Sequence, residues 1–292
     1  MVIDIPGNIR AYDPTLWVDP QGRMWLFWAQ AISYGRNAGV WAIITENPDA
    51  ENPKWSKPHR YARGVMINKP IVLSSGEWLF PVSNWGSTDN GITVVPKSAE
   101  VFVSTDKGRT WILRGQAHVP KETKSFDEHR IIERENAHLW MLVRTKYGIG
   151  ESISKDRGKT WSEVSRSSIQ HATARFFIRR LNSGKLLLVK HGAIEERIGR
   201  SHLMAFISDD DGKTWSGGLM LDERSGVSYP DGMQSPDGTI YIIYDYNRYK
   251  DKEILMATFT EEDVAKGQCV SKKARLRVLV NKASGTAPST GG

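Results

Sequence analysis

One eight-residue pattern occurs three times and constrains the fold more than anything else in the chain. It reads Ser104-Thr-Asp106-Lys-Gly108-Arg-Thr110-Trp111, then Ser154-Lys-Asp156-Arg-Gly158-Lys-Thr160-Trp161, then Ser208-Asp-Asp210-Asp-Gly212-Lys-Thr214-Trp215. The copies open 50 and 54 residues apart. Each has the chemistry of a tight hairpin. The Asp carboxylate can accept from turn N–H groups, and Gly permits the positive φ that the turn needs. The Trp is expected to pack into the core between neighbouring sheets. Repeats at this spacing are a mark of propellers and related arrays.

A second repeat lies between these turns. Five segments read as strand, polar turn, strand, opening at Pro14, Pro70, His129, Phe177 and Gly232. Their runs are short and rich in β-branched and aromatic residues. The third replaces the turn glycine with Glu135-Asn136-Ala137. The Ser-x-Asp-x-Gly-x-Thr-Trp pattern resembles the Asp box of sialidase-like proteins. That resemblance implies an all-β fold, a β-propeller of four-stranded blades, with five blades over roughly residues 10–270. A degenerate box lies around Asn47-Pro-Asp49 with Trp55-Ser56, and a short helix is expected near Glu261-Glu262-Asp263-Val264. Sialidases have six blades, so a six-bladed ring is expected if an opening blade is missing. The expected organisation is one propeller domain over 1–284 and a flexible tail over 285–292.

The chain has 40 Lys and Arg against 33 Asp and Glu, a net charge of +7, which favours an anionic partner. The basic residues are dispersed, and no nucleic-acid-reading motif is present, so nucleic acid is not an expected partner. No apolar run is long enough to span a membrane. The start lacks the pattern of a signal peptide and Cys269 stands alone, which fits a cytoplasmic protein, or a secreted one if the N-terminus is truncated. Neither a cofactor nor a metal is expected, since no pair of residues has metal-ligand spacing. The sequence leaves the oligomeric state open.

The resemblance extends to site residues. In sialidases a Glu opens one inner strand and an Arg closes the next strand of that hairpin, as Glu128 and Arg144 do here. An Arg then precedes a strand running into a box, as Arg200 does. A Tyr-Ser-Asp type motif follows, matched by Ser228-Tyr229-Pro-Asp231 before the strand that ends in Tyr244-Asp245. By resemblance Glu128 is the general base, Tyr229 the nucleophile, and Arg144 and Arg200 two arms of a carboxylate-binding set of arginines. Asp231 joins the catalytic candidates. The family's first arginine and its acid/base Asp are not recognisable, because the opening Arg10-Ala-Tyr-Asp13 aligns better with the family's second blade.

The chemistry explains these residue types. A sialic acid carries its carboxylate on the anomeric carbon, which repels a carboxylate nucleophile, so sialidases use Tyr. A phenol is a weak nucleophile near neutrality and needs an adjacent base. Arginine forks hold carboxylates in bidentate fashion. Other residues at the strand openings are candidates for binding an acidic carbohydrate: Asp13, Lys69, His129, Arg175 and His191. The leading expectation is a sialidase-type glycoside hydrolase. Two others stay open: a lyase or non-sialic glycosidase acting on uronate-containing glycans, and a non-catalytic carbohydrate-binding propeller.

Overall fold

Short β-rich runs separated by tight turns give a chain of antiparallel four-stranded sheets in the computed structural model. It describes all residues except 1, 2, 4, 6, 8, 33–36, 90, 91, 96 and 285–292. The expected tail falls outside them. Five four-stranded sheets are present among the described residues, each a propeller blade, with very little helix. The chain divides into two compact units, Met1–Ser167 and Ser168–Gly292.

The first unit holds three blades. Blade 1 runs β1 (Arg10–Val18), β2 (Met24–Ala31), β3 (Gly39–Thr45), β4 (His59–Arg63). Blade 2 contains β5 (Ile71–Val72), β6 (Trp78–Asn84), β9 (Ser98–Ser104) and β10 (Ile112–Ala117), with the hairpin β7 (Ser87–Asp89) and β8 (Ile92–Val95) inserted after β6. Blade 3 runs β11 (Lys124–Glu133), β12 (Leu139–Thr145), β13 (Gly148–Ser154), β14 (Ser165–Arg166). Strands β6, β9 and β12 are buried along their whole length, and β6 and β12 accordingly open on continuous apolar runs over 78–82 and 139–143. Aromatic rings fill the space between blades 1 and 2, where Trp25, Phe27, Trp78, Phe80 and Trp111 form one cluster.

The second unit holds two blades. Blade 4 runs β15 (Phe177–Arg180), β16 (Leu186–His191), β17 (Leu203–Ser208), β18 (Ser216–Asp222). Blade 5 runs β19 (Val227–Gln234), β20 (Ile240–Tyr246), β21 (Glu253–Phe259), β22 (Arg275–Lys282). A single aliphatic and aromatic cluster from Phe177 to Val264 joins them. The expected helix is α1 (Glu261–Lys266), and it starts where its sequence dictates. Thr260 and Asp263 form a reciprocal capping box, and Gly267 closes the helix in the left-handed region. No helix among the described residues is long and apolar enough to cross a membrane.

The three boxes turn between the third and fourth strands of blades 2, 3 and 4, with matching geometry. In each, Ser Oγ donates to the Asp carboxylate at 2.8 Å, and Thr Oγ1 donates to its second oxygen at 2.6 Å. The Thr backbone N–H completes the set at 2.8–2.9 Å. Two successive residues, Lys107-Gly108 and their counterparts, occupy the left-handed region. Where the first unit's blades meet, an arginine of one blade reaches the box of the next. Arg23 Nη2 donates to Lys107 O at 2.8 Å and Arg114 Nη1 to Arg157 O at 3.3 Å. Of the box tryptophans Trp111 is buried, whereas Trp161 and Trp215 are half-buried, so the core placement expected of all three holds fully only for the first.

These hydrogen bonds, led by the Thr hydroxyl, hold Asp106, Asp156 and Asp210 at about 2, below the ordinary 3.8. The folded value is depressed, so the contribution is present above the unfolded value and is lost as pH falls through the folded one. Melting temperature should therefore decline between pH of about 4 and about 2, and Asp106→Asn should flatten that decline. Differential scanning calorimetry across this range tests it, and parallel curves for variant and parent would refute it.

Candidate active site

The first strands of blades 1, 3 and 5 share a defect. Their ladders slip between Tyr12 and Thr15, between Lys124 and Arg130, and between Ser228 and Asp231. At the slips stand non-glycine residues with positive φ: Asp13 at 54°, Asp127 at 63°, Glu128 at 46° and Tyr229 at 54°. Each costs on the order of 1–2 kcal/mol. Such bulges re-aim side chains, and strain of this kind persists only where its surroundings over-determine it. Four sequence-derived candidates or their neighbours thus occupy the same structural device.

In the first unit the surroundings are explicit. Asn68 Nδ2 donates to Glu128 O at 2.9 Å and to His129 O at 2.8 Å. Glu128 N donates to Ser83 Oγ at 3.0 Å, and His129 Nε2 lies 2.9 Å from Glu100 O. Blade 2 therefore clamps the blade 3 bulge through four contacts. Glu128 pairs with Arg144 (Nη1–Oε2 2.8 Å), both side chains being almost wholly buried. The hairpin register explains this, since Asp127 sits opposite Arg144. The Arg144 guanidinium also lies over the exposed Phe126 ring at 5.0 Å. Lys124 holds Asp127 at 2.8 Å, while burial pushes the Asp127 carboxyl up. Burial pushes His129 down to about 4, so a neutral imidazole tethers two strands. Lys69, beside Asn68, and Asp13 are half-buried.

In the second unit, three guanidinium groups surround the Tyr229 ring. Arg175 and Arg200 lie 5.8 Å from its centroid and Arg248 4.2 Å. Arg175 is 3.9 Å from Asp231, and Arg248 Nη2 is 2.6 Å from Asp245 Oδ2. Burial pushes the Asp245 carboxyl up, against the pull of Arg248, Arg200 and Arg175. Register places Ser228 opposite Asp245, so the end of β20 lies level with the Tyr229 bulge. Behind them, His171 and His191 stack at 5.2 Å with their rings 25° apart. His191 Nε2 lies 3.0 Å from Val227 O, and a carbonyl only accepts, so this nitrogen carries the proton. Burial lowers His191 to about 4, leaving it neutral, so its Nδ1 accepts from His171 Nε2 at 3.1 Å. The pair anchors the start of β19, the strand that carries Tyr229. Lys190 is buried against the carbonyls of Gly192, Ala193 and Glu196, and burial lowers it to about 8.

Within the second unit the structure thus gathers Tyr229, Asp231, Arg175 and Arg200, with His191 behind them. In the first it gathers Glu128, Arg144 and His129. Sequence reasoning passed over Arg248, and quoted Asp245 only as a strand end. The available signal was hairpin register: residues just after β20 must lie level with residues just before the bulge on β19. Among the described residues no group of three or more His, Cys, Asp or Glu could hold a metal ion.

A family model described as the BNR repeat-like domain matches residues 8–242. A sialidase from Bacteroides fragilis (strain YCH46) is 25% identical over 250 residues, which are 78% of this chain and 44% of that protein. Among solved structures, a Hadza microbial sialidase superposes with a TM-score of 0.68 at 18% identity, covering 88% of this chain and 54% of the other. A protein of unknown function from Dyadobacter fermentans DSM 18053 gives 0.64 at 16% identity, over 98% and 86%. The chain spans about half the length of each of these sialidases. These structural likenesses share a β-propeller fold.

Proposed function

The chain belongs to the BNR repeat-like domain family, and from that premise we propose that it is a sialidase-type glycoside hydrolase that removes a terminal acidic sugar. The observation that carries this reading is the convergence of Arg175, Arg200 and Arg248 on the Tyr229 ring. A phenol ringed by guanidinium groups suits a substrate whose reacting carbon bears a carboxylate. Arginine forks bind that carboxylate, and a neutral nucleophile approaches without repulsion. The name of the Bacteroides fragilis relative supports the same substrate class. The Tyr229 oxygen bonds to the anomeric carbon as the glycosidic C–O bond breaks, its proton passing to a base and the aglycone oxygen taking up a proton to leave as an alcohol. Water then displaces the tyrosine, which regains its proton, and the free sugar is released. Asp231, beside Arg175, is kept as a member of the catalytic set.

Product analysis tests the reading. Release of sialic acid from sialyl-lactose supports it. An unsaturated uronate from a uronate-containing glycan would make the protein a lyase instead, and binding of either glycan without turnover would make it a lectin. On the leading reading, Arg200→Ala should weaken binding of an acidic sugar by about 2–5 kcal/mol, the range for truncating one partner of a buried charge pair. Binding of a neutral analogue should change far less. Calorimetric titration with both ligands decides, and equal losses would make Arg200 a structural residue.

A further inference from the structure

Of the eight phenylalanines, seven are 8% exposed or less, whereas Phe126 is 43% exposed. A lone exposed ring means little, but this one has company. The Trp85 and Phe126 ring centroids lie 5.8 Å apart with their planes at 68°, and those of Trp85 and Tyr12 lie 6.5 Å apart at 16°. We propose that Tyr12, Trp85 and Phe126 form a carbohydrate subsite of the first unit, which takes the C–H face of a neutral hexopyranose. Binding here is independent of the chemistry proposed at Tyr229.

The rings are held in place without a ligand. Tyr12 and Trp85 are half-buried against a bed of small side chains led by Ala29, Ala31 and Ala38. Trp85 Nε1 donates to Phe126 O at 3.0 Å, which fixes the indole to the backbone of its neighbour. Buried groups build the turn that carries Trp85. Asn84 Nδ2 donates to Glu100 Oε1 at 2.9 Å, and Asn84 Oδ1 accepts from Gly86 N at 2.9 Å. Arg63 pairs with the same Glu100 at 2.8 Å, and Gly86 supplies the left-handed step at φ 80°. On the other side, Phe126 leads into the strained Asp127, which Lys124 holds at 2.8 Å. A preformed surface binds without the cost of ordering its side chains.

The groups around the rings select the occupant. Tyr12 and Trp85 lie nearly parallel and Phe126 stands across the indole, so the rings meet at a corner. Charged groups border it. The Arg10 Cζ lies 4.9 Å from the Tyr12 centroid and the Arg144 Cζ 5.0 Å from that of Phe126. Glu128 neutralises Arg144, and Asp13 follows Tyr12 on the strand that carries Arg10, so acidic and basic groups balance at the rim. An apolar helix or an acyl chain would strip water from these groups and return no hydrogen bond. A pyranose offers C–H groups to the rings and a rim of hydroxyls, which donate and accept, to the charges.

Saturation-transfer NMR on the full chain tests this with three neutral methyl glycosides, those of β-galactose, β-glucose and β-N-acetylglucosamine, and with octyl β-glucoside. At least one methyl glycoside should receive saturation along its C–H face. Phe126→Ala should weaken that glycoside by roughly 10-fold. Phe126→Tyr keeps the ring and should stay within about 3-fold of the parent, whereas Phe126→Leu keeps only apolar bulk and should fall between. Trp85→Ala should lose the same binding and also melt lower, since its bond to Phe126 O goes with it. The Phe126 variants change an exposed side chain, so their melting temperatures should stay within a few degrees of the parent and separate lost recognition from lost folding. No transfer to any methyl glycoside, or an affinity unchanged in Phe126→Ala, would overturn the proposal. Octyl β-glucoside bound through its chain and not its ring would also overturn it and make the corner an apolar docking patch.

Discussion

Tyr229→Phe should abolish turnover while leaving the fold and ligand binding nearly intact. The substitution deletes one oxygen and keeps the ring. The packing of Arg175, Arg200 and Arg248 on that ring therefore survives. The backbone at φ 54° is no more strained with Phe than with Tyr, because both branch alike beyond Cβ. If the phenol oxygen is the nucleophile, the chemical step loses its covalent route, and kcat should fall on the order of 10³- to 10⁶-fold. Affinity for a non-reacting acidic sugar analogue should stay within about 3-fold, because uniform binding is untouched. Steady-state kinetics and calorimetry on the same preparation separate the two quantities. A variant that keeps its kcat would remove Tyr229 from the chemistry and favour a mechanism without a glycosyl-enzyme. One that loses binding and turnover together would make the hydroxyl a recognition group.

Much of the fold is legible in the sequence, for reasons that can be named. The boxes prescribe hairpins because Ser, Asp, Gly and Thr are each required by a specific hydrogen bond or dihedral in the turn, and all three copies meet those requirements alike. Glu128 and Arg144 could be paired in advance, since the two ends of a hairpin must meet. Two things were hidden. The first is Arg248, whose turn carries no pattern and whose importance follows only from register. The second is the role of the histidines. An inner-strand His can turn toward a ligand or toward a neighbouring strand, and both His129 and His191 are buried against backbone carbonyls. The bulges lie between these extremes. Asp13-Pro14 and Tyr229-Pro230 hint at irregular strands, because proline supplies no ladder N–H, but Asp127-Glu128-His129 carries no such sign.

The box tryptophans make the sharpest test of how far an identical motif guarantees an identical role. Trp111 is 9% exposed and packs on Phe80 at 4.2 Å and on Trp78 at 6.3 Å, inside the aromatic cluster that joins blades 1 and 2. The turn that precedes it is seated as closely. A Cβ on Gly108 would lie 2.8 Å from the Trp78 ring and 2.9 Å from the Trp25 ring, so these indoles occupy the space a side chain would need. Trp161 stands at the same box position in blade 3 but is only half-buried, and its Nε1 turns back to Gly158 O at 3.1 Å. Gly158 has Leu139 as its nearest neighbour, at 3.3 Å from an added Cβ. Trp111→Ala should therefore cost about 3–5 kcal/mol, the usual range for a large buried aromatic. Trp161→Ala should cost roughly half as much, since burial scales with the apolar area removed from water. Urea unfolding of the whole chain, followed by far-ultraviolet circular dichroism, measures both. Matching losses would show that the box dictates the packing of its Trp whatever surrounds it. A Trp111→Ala loss below about 1 kcal/mol would mean the aromatic cluster collapses around the vacancy without penalty, contrary to the close packing of protein interiors.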